Sequence, residues 1–379
     1  MKVSYSILFL FFFAFSFAQD NREASLSIDG QWKFKTDPYA QGESLNWFAP
    51  DLNDNAWDSM SVPGNWDLKN EYARYVGKAW YRKNITVDPE WGNKTVRLLF
   101  DGVNFESKVW LNGKLIGTNN IGYLPFEFDV SKLLNYGGSN TITVLCDNTV
   151  KLGAIWNWGG IRRPVKMLAT TNVYISRQFI SPSVDLLNKT AELTIKVLCQ
   201  NSGTNGEKLN GEVLLSGKNG FKRALPFAID VDGGATKEVI VRTVMNEKEV
   251  HLWNCDDPFL YQSQVSLSDK GQVLHSISDR FGLRKIEVDN KNFSFKLNGE
   301  SIRMMGFNLV PDDRTTGSTL PAWRIKQDVD LMKSLGANMA RLSHLPLPGE
   351  MFDYLDEKGI LVFPEIPVWG FHQLVDKNN

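Results

Sequence analysis

Short runs in which apolar and polar residues alternate fill most of the chain before residue 283. Between residues 26 and 175 these runs are separated by Gly, Asn, Asp and Pro, and Asn112-Gly113 between two apolar runs predicts a tight hairpin. From 176 to 282 the alternation continues through roughly seven more runs, the number typical of an immunoglobulin-like sandwich. The pattern therefore predicts two β-sandwiches in succession, a jelly roll and then an immunoglobulin-like domain.

After Arg284 the apolar positions take on helical spacing. One helix is predicted over 322–335 and a second over 351–358, each ended by a glycine. We expect the first helix to bury a single face, and the residues of that face are Ile325, Val329, Met332 and Leu335.

Three short apolar runs accompany these helices and predict strands, one ending in 302–306, one at 338–342 and one continuous at 360–366. Strand–helix alternation with such runs is typical of a parallel sheet. The fold class is thus predicted to be multidomain and mainly β, ending in the first part, about three strands, of a (β/α)8 TIM barrel. A small doubly wound domain is the alternative, although no Gly-rich phosphate loop follows a strand here.

The first 18 residues have the pattern of a secretory signal peptide, with Lys2, an apolar run over 7–17 and the small-x-small end Ser16-Phe17-Ala18. The run is shorter than the roughly 20 apolar residues that span a bilayer, and a membrane anchor is the alternative. We expect an exported protein, periplasmic or extracellular, with no membrane association once residues 1–18 are removed.

Charge and composition exclude several classes of function. Lys and Arg total 42 against 43 for Asp and Glu, so no basic excess exists to bind nucleic acid. Three cysteines and four histidines lack the spacing of a disulfide framework or a metal site. We expect buried, unpaired cysteines and no metal or other cofactor.

Eleven short motifs follow one another along the chain. They are Val-Pro-Gly-Asn-Trp (62–66), Trp-Tyr-Arg-Lys (80–83), Phe-Asp-Gly-Val (100–103), Val-Trp-Leu-Asn-Gly (109–113), Gly-Tyr-Leu-Pro-Phe-Glu-Phe-Asp (122–129), Trp-Gly-Gly-Ile-Arg-Arg (158–163), Asp-Pro-Phe-Leu-Tyr (257–261), Arg-Phe-Gly-Leu-Arg (280–284), Phe-Lys-Leu-Asn-Gly-Glu (295–300), Gly-Phe-Asn (306–308) and the stretch 338–346. Together they resemble glycoside hydrolase family 2, which contains β-galactosidases, β-glucuronidases and β-mannosidases. The resemblance implies a sugar-binding jelly roll over 19–175, a sandwich over 176–284 and an incomplete barrel over 285–379.

The activity that this resemblance implies is retaining hydrolysis of terminal β-glycosidic bonds in an oligosaccharide or β-glycoside, with the β-galactosidase activity slightly favoured. The family places its catalytic acid/base and nucleophile, both Glu, on the fourth and seventh barrel strands. We therefore expect both beyond residue 379, and little or no hydrolysis by this chain alone. A non-catalytic carbohydrate-binding or scaffolding protein and a truncated inactive fragment are the alternatives, and the sequence makes no prediction of oligomeric state.

Candidate substrate-binding residues follow the three predicted barrel strands, because barrel active sites lie at the carboxyl ends of the strands. Asn308 follows the first, with Asp312 and Asp313 after it; the second offers Arg341 and His344, and the third offers Glu365 and Trp369. The resemblance implies that Arg341 lies against a catalytic carboxylate and His344 contacts the sugar. A structural ion pair for Arg341 and a loop hydrogen bond for His344 are the alternatives. Glu365 and Asp312 belong to strands that are not adjacent, so they are not expected to form a catalytic pair.

Trp156 and Trp158, close to Arg162 and Arg163, have the composition of a carbohydrate site, because aromatic faces stack on sugar rings. Packing in the core and rim of the sandwich is the alternative. Seven other tryptophans are expected to be packing residues, namely Trp32, Trp47, Trp57, Trp66, Trp80, Trp91 and Trp110.

Two departures from the family pattern bear on specificity. Leu309-Val310-Pro311 replaces the acidic or His residue with which some members bind a divalent metal, so no metal is expected. Ala154 stands where some β-galactosidases carry an acidic residue.

Overall fold

The computed structural model describes residues 23–150 and 156–366. The predicted signal peptide, Ala154 and Trp369 lie outside these ranges. The chain forms a jelly-roll sandwich, an immunoglobulin-like sandwich and a three-stranded parallel sheet with two helices, which confirms the predicted fold class.

The jelly roll packs a six-stranded sheet, in the order β3-β2-β4-β10-β7-β8, against a four-stranded sheet, in the order β1-β12-β5-β9, while β6 pairs with β11. Its strands are β1 (Ala24–Ser27), β2 (Gly30–Asp37), β3 (Asp58–Val62), β4 (Lys78–Thr86), β5 (Thr95–Phe100), β6 (Val103–Asn104), β7 (Glu106–Leu111), β8 (Lys114–Asn119), β9 (Phe126–Asp129), β10 (Ser139–Asp147), β11 (Gly160–Ile161) and β12 (Val165–Thr170). Short 3₁₀ helices cover Trp66–Leu68, Asn70–Tyr72 and Pro89–Asn93. The predicted hairpin joins β7 to β8, with Asn112 and Gly113 at positive φ (51° and 80°).

Both faces of the six-stranded sheet are covered, as its central strand β10 illustrates. Ile142 and Val144 point into the sandwich core, while Leu145 points to the opposite face. There it packs with Trp80 and Trp110 beneath the segment 38–57. Six of the seven predicted packing tryptophans are buried, and Trp47 packs against the same outer cluster.

The second sandwich contains seven strands in two sheets, β13-β14-β17 and β16-β15-β18-β19. They are β13 (Val173–Asp185), β14 (Thr190–Asn201), β15 (Glu207–Ser216), β16 (Lys222–Val231), β17 (Thr236–Met245), β18 (Tyr261–Asp269) and β19 (Gln272–Phe281). The free thiols of Cys146, Cys199 and Cys255 are buried, as the sequence predicted.

A small antiparallel sheet, β20 (Ile286–Asp289), β21 (Ser294–Leu297) and β22 (Glu300–Ile302), leads into the barrel part. The parallel strands are β23 (Gly306–Leu309), β24 (Met339–Leu342) and β25 (Leu361–Pro364), connected by α1 (Ala322–Ser334) and α2 (Gly349–Lys358). No helix in the described ranges is long and apolar enough to cross a membrane.

Three local predictions in this region were wrong. The first barrel strand begins at Gly306 instead of ending there, because 300–302 pairs with β21. Leu335 is 62% exposed, because α1 ends at Ser334 and Gly336 (φ 82°) redirects the chain. The third strand covers only 361–364, because its partner β24 ends opposite Pro364.

The immunoglobulin-like sandwich supports the barrel part through helix α2. The indole Nε1 of Trp253 donates to the Asp356 carbonyl (2.8 Å), and Arg284 lies over the Trp253 ring while pairing with the Asp356 carboxylate (3.0 Å). Gly359, which ends α2, lies against the Cys255 carbonyl so closely that an added Cβ would stand 2.2 Å from its oxygen.

Because of this contact, alanine is expected to destabilise the protein more at Gly359 than at Gly336, the two glycines that end the helices. Both have positive φ, so replacement by alanine strains either one by about 1 kcal/mol. Gly336 has no neighbour within 4 Å of an added Cβ. We expect Gly336→Ala to lower the free energy of unfolding by about 1 kcal/mol and Gly359→Ala by about 3 kcal/mol, since the second also disturbs the contact with Cys255. Urea denaturation of the two variants measures the loss in free energy of unfolding. Equal losses would contradict the close contact between Gly359 and Cys255.

Candidate functional site

Parallel pairing brings polar side chains from separate strands to one edge of the barrel sheet. Asn308 on β23 is the register partner of Arg341 on β24, and Arg341 Nη1 lies 3.4 Å from Asn308 Oδ1. Glu365 directly follows β25, the strand on the other side of β24. The carboxyl ends of all three strands therefore meet at this edge, where barrel active sites form.

Glu365 is held by two donors from the middle strand and its loop. Arg341 Nη2 forms an ion pair with Oε1 of Glu365, and His344 Nδ1 lies 2.8 Å from Oε2. The three side chains are between 23% and 43% exposed, so a ligand can reach them. We call Asn308, Arg341, His344 and Glu365 the glutamate cluster. It offers amide, guanidinium, imidazole and carboxylate groups that can bond the hydroxyls of a sugar.

The acidic residues after Asn308 do not join this cluster. Asp312 turns toward the jelly roll, where burial raises the pKa of its carboxyl while the Trp158 indole, the Trp156 backbone N–H and Arg162 oppose that rise. Asp313 accepts hydrogen bonds from the N–H and hydroxyl groups of Thr315 in its own loop, which lowers its pKa to about 2. Asp313 therefore shapes the loop, and Asp312 connects the barrel to the jelly roll.

The two candidate tryptophans of the jelly roll lie beside Asp312 and have different environments. Trp156 is 57% exposed, and its Nε1 donates to Asp67 Oδ1 (3.3 Å). Trp158 is half-buried, and its Nε1 is covered from solvent and faces Asp312. Packing thus accounts for Trp158, whereas Trp156 presents its ring to solvent.

Arg162 and Arg163 are buried where the jelly roll meets the barrel loops. The Arg162 guanidinium lies over the Tyr123 ring (5.2 Å to the centroid), and burial lowers its pKa to about 10. Arg163 donates to the Pro346 carbonyl (3.3 Å), and burial lowers its pKa to about 9. Beside them, Phe105 and Tyr123 pack against Leu345, one residue after His344. The jelly roll therefore forms one wall beside the carboxyl ends of the barrel strands.

Three buried asparagines in this wall were missed as functional candidates. Asn65, Asn104 and Asn148 are each 3% exposed or less, and their side-chain amides donate to consecutive carbonyls of the segment 157–159. Asn65 lies in the motif Val-Pro-Gly-Asn-Trp, and Asn104 directly follows the motif Phe-Asp-Gly-Val. That signal was present, but the motifs alone do not reveal which carbonyls the amides bond.

Across the described ranges, no three His, Cys, Asp or Glu side chains come together as metal ligands would. The sequence-based expectation of no metal stays a prediction.

Asp67 makes the stability of this wall dependent on pH. Burial raises the pKa of its carboxyl to about 6, so the folded protein retains a proton that the unfolded chain releases near pH 4. The free energy of unfolding therefore falls as pH rises from about 4 to 6, by on the order of 2 kcal/mol from this group. Asp67→Asn cannot titrate, so we expect its stability relative to the wild type to increase over that range. Urea denaturation at pH 4, 5, 6 and 7 checks this, and a difference independent of pH would contradict it.

Three family models match the chain in succession. The sugar binding domain of glycosyl hydrolases family 2 matches residues 26–171, the model described as glycosyl hydrolases family 2 matches 173–284, and the family's TIM barrel domain matches 286–379. Together they follow the jelly roll, the immunoglobulin-like sandwich and the barrel part in order.

Individual relatives agree with these matches. A β-glucuronidase of Bacteroides fragilis is 29% identical over 97% of this chain and 53% of its own length. The β-galactosidase BoGH2A of Bacteroides ovatus is 26% identical over 91% of this chain and 41% of its own length. The solved structure of a Bacteroides uniformis β-glucuronidase superposes with a TM-score of 0.83 at 25% identity, covering 91% of this chain and 42% of that one. The chain thus spans about half the length, or less, of these relatives. With its domains matched in order from residue 26 to 379, the chain belongs to glycoside hydrolase family 2.

Proposed function

We propose that this chain binds the terminal sugar of a β-glycoside at the glutamate cluster, as part of the retaining hydrolysis of terminal β-glycosidic bonds. The observation that carries the proposal is the meeting of Asn308, Arg341, His344 and Glu365 at the carboxyl ends of three neighbouring parallel strands. Sugar recognition needs several hydrogen-bonding groups fixed relative to one another. The pairing of Glu365 with Arg341 and His344 supplies that rigidity.

The catalytic pair, in this proposal, consists of glutamates outside the described residues. Retention requires two carboxyl groups about 5–5.5 Å apart, one as acid/base and one as nucleophile. Asp312 and Glu365 follow strands that β24 separates, and they face different partners, the jelly roll and Arg341. The chain by itself is therefore expected to bind a sugar without turnover. A non-catalytic carbohydrate-binding role is the second candidate, favoured by the engagement of Glu365 with two cationic or hydrogen-bonding side chains.

β-Glucuronides and β-galactosides are the first substrates to compare. The relatives include enzymes named for each, and the sequence slightly favoured the galactoside. We further propose that residues 1–18 direct export, so that the substrate is met in the periplasm or outside the cell.

Arg341 provides the test of the sugar site. Isothermal titration of methyl β-D-glucuronide and methyl β-D-galactoside into the chain is expected to show binding of at least one of them. Arg341→Met should weaken that binding about tenfold or more, because it removes a charged donor and frees Glu365. Arg303→Met is the matched control, since Arg303 is exposed and precedes β23 at the opposite end of the sheet. Equal effects of the two variants, or no binding of either sugar by the wild type, would refute the proposed site.

Turnover is tested separately with the p-nitrophenyl β-glycosides of the same sugars. We expect no release of p-nitrophenol by this chain. Clear turnover would show that the described carboxylates suffice, against the proposal that the catalytic glutamates lie elsewhere.

A further inference from the structure

The Trp156 indole is exposed in an unusual manner. Its Nε1 donates to Asp67, its ring meets the Trp158 ring in a T-shaped contact (6.5 Å between centroids), and the residue is still 57% exposed. A large aromatic surface in water has an unfavourable free energy, and the partly buried Asp67 carboxylate, which accepts from the indole, maintains this exposure. This arrangement leaves the Trp156 ring available to contact a ligand.

Asp67 holds both the ring and its backbone. Its Oδ1 accepts from Trp156 Nε1 (3.3 Å), and its Oδ2 accepts from the Gly159 N–H (2.8 Å). Gly159 in turn lies directly on the buried Trp66 ring, where an added Cβ would stand 1.9 Å from a ring carbon. The indole is therefore fixed relative to the jelly-roll core.

The carbonyls that follow Trp156 are bonded one after another by buried amides. Asn148 Nδ2 donates to the Asn157 carbonyl (2.8 Å), Asn104 Nδ2 to the Trp158 carbonyl, and Asn65 Nδ2 to the Gly159 carbonyl (3.1 Å). Each of these Nδ2 groups has its carbonyl acceptor only with the segment in this conformation. Such preorganisation lowers the entropy lost when a ligand binds.

This segment is also connected to the barrel. Asn65 Oδ1 accepts from the Ser318 N–H (2.8 Å) of the barrel loop, and the Trp156 backbone N–H lies near the Asp312 carboxylate of the same loop, where it opposes the burial-driven rise in its pKa. Asp312 comes four residues after Asn308, so the two backbones are at most about 14 Å apart. The exposed indole therefore lies on the jelly-roll wall beside the loop that follows Asn308, the first residue of the glutamate cluster.

We propose that Trp156 is a stacking platform for the leaving-group ring of the glycoside, either a second sugar or an aromatic aglycone, and that Asp67 is the residue that positions it. The proposal rests on the proposed function, because the ring it binds is attached to the sugar at the glutamate cluster. Stacking selects for a flat apolar face and tolerates different hydroxyl patterns, so this site would favour ring-bearing leaving groups as a class.

Paired ligands separate the platform from the sugar site. We expect phenyl β-D-glucuronide or phenyl β-D-galactoside to bind the chain about threefold to tenfold more tightly than the matching methyl glycoside, as one aromatic contact allows. Trp156→Ala should bring this phenyl-to-methyl ratio close to one, and Trp156→Phe should retain part of it. Phe293→Ala is the control, because Phe293 is 95% exposed in the β20–β21 hairpin before the barrel strands.

Asp67 is tested as a positioning residue through the same ratio. Asp67→Ala should lower the ratio although Trp156 is still present, and Asp67→Asn should restore part of it, since its amide oxygen can still accept from the indole. Quenching of tryptophan emission by the phenyl glycoside should decrease in parallel. Asp58→Ala is the control, because it removes an exposed carboxylate on β3 that pairs with Lys69. If Asp67→Ala fails to fold, the comparison of Asp67→Asn with the wild type decides the question.

Each result separates the two proposals. A phenyl-to-methyl ratio of one in the wild type, or a ratio that Trp156→Ala leaves unchanged, overturns the platform while the sugar site stands. Binding of phenyl but of no methyl glycoside refutes the sugar site, and with it the role of Trp156 toward a leaving group attached to that sugar. Binding of neither overturns both.

Discussion

One buried amide connects the two parts of this protein on which the candidate site depends. Asn65 donates from Nδ2 to the Gly159 carbonyl of the jelly roll, and its Oδ1 accepts from the Ser318 N–H of the barrel loop. Gly317, next to Ser318, has φ of 59° and would place a Cβ 2.2 Å from Asn65 Oδ1, so this approach requires glycine. A buried amide left without partners costs about 1–3 kcal/mol, so the loop and the sandwich keep one arrangement.

Near that amide, polar groups of the jelly roll and of the barrel loop are buried against one another. The loop that Asn65 holds carries Asp312, which faces Trp158 and Arg162, and Arg162 lies over Tyr123. Burial of a guanidinium is unfavourable unless nearby groups compensate, and here an aromatic ring and a carboxylate compensate in part, since burial still lowers the pKa of Arg162 to about 10. These buried contacts hold the jelly-roll wall against the barrel loop beside the strand ends.

The barrel part contributes a different constraint, the direction of its strands. Parallel pairing places Asn308, Arg341 and Glu365 at one edge although 33 and 24 residues separate them along the chain. The immunoglobulin-like sandwich contacts α2, which packs beside this sheet, through the hydrogen bond from Trp253 Nε1 to the Asp356 carbonyl. The sandwich contributes no residue to the glutamate cluster, whereas the two flanking domains carry the polar groups of the proposed binding site.

The sequence alone determined the features that depend on local periodicity and on motif order. Alternation predicted the two sandwiches, helical spacing predicted α1 and α2, and strand ends located Asn308, Arg341 and Glu365. These are short-range properties, set by the side-chain periods of strands and helices. The tertiary structure decided which polar groups are partners: that Asp312 faces the jelly roll, that Trp156 is exposed while Trp158 packs, and that Asn65 bonds residues 94 and 253 positions away. Such pairings join segments that are distant in sequence. They form because buried hydrogen-bonding groups require partners. The local sequence pattern does not show which distant group the partner is.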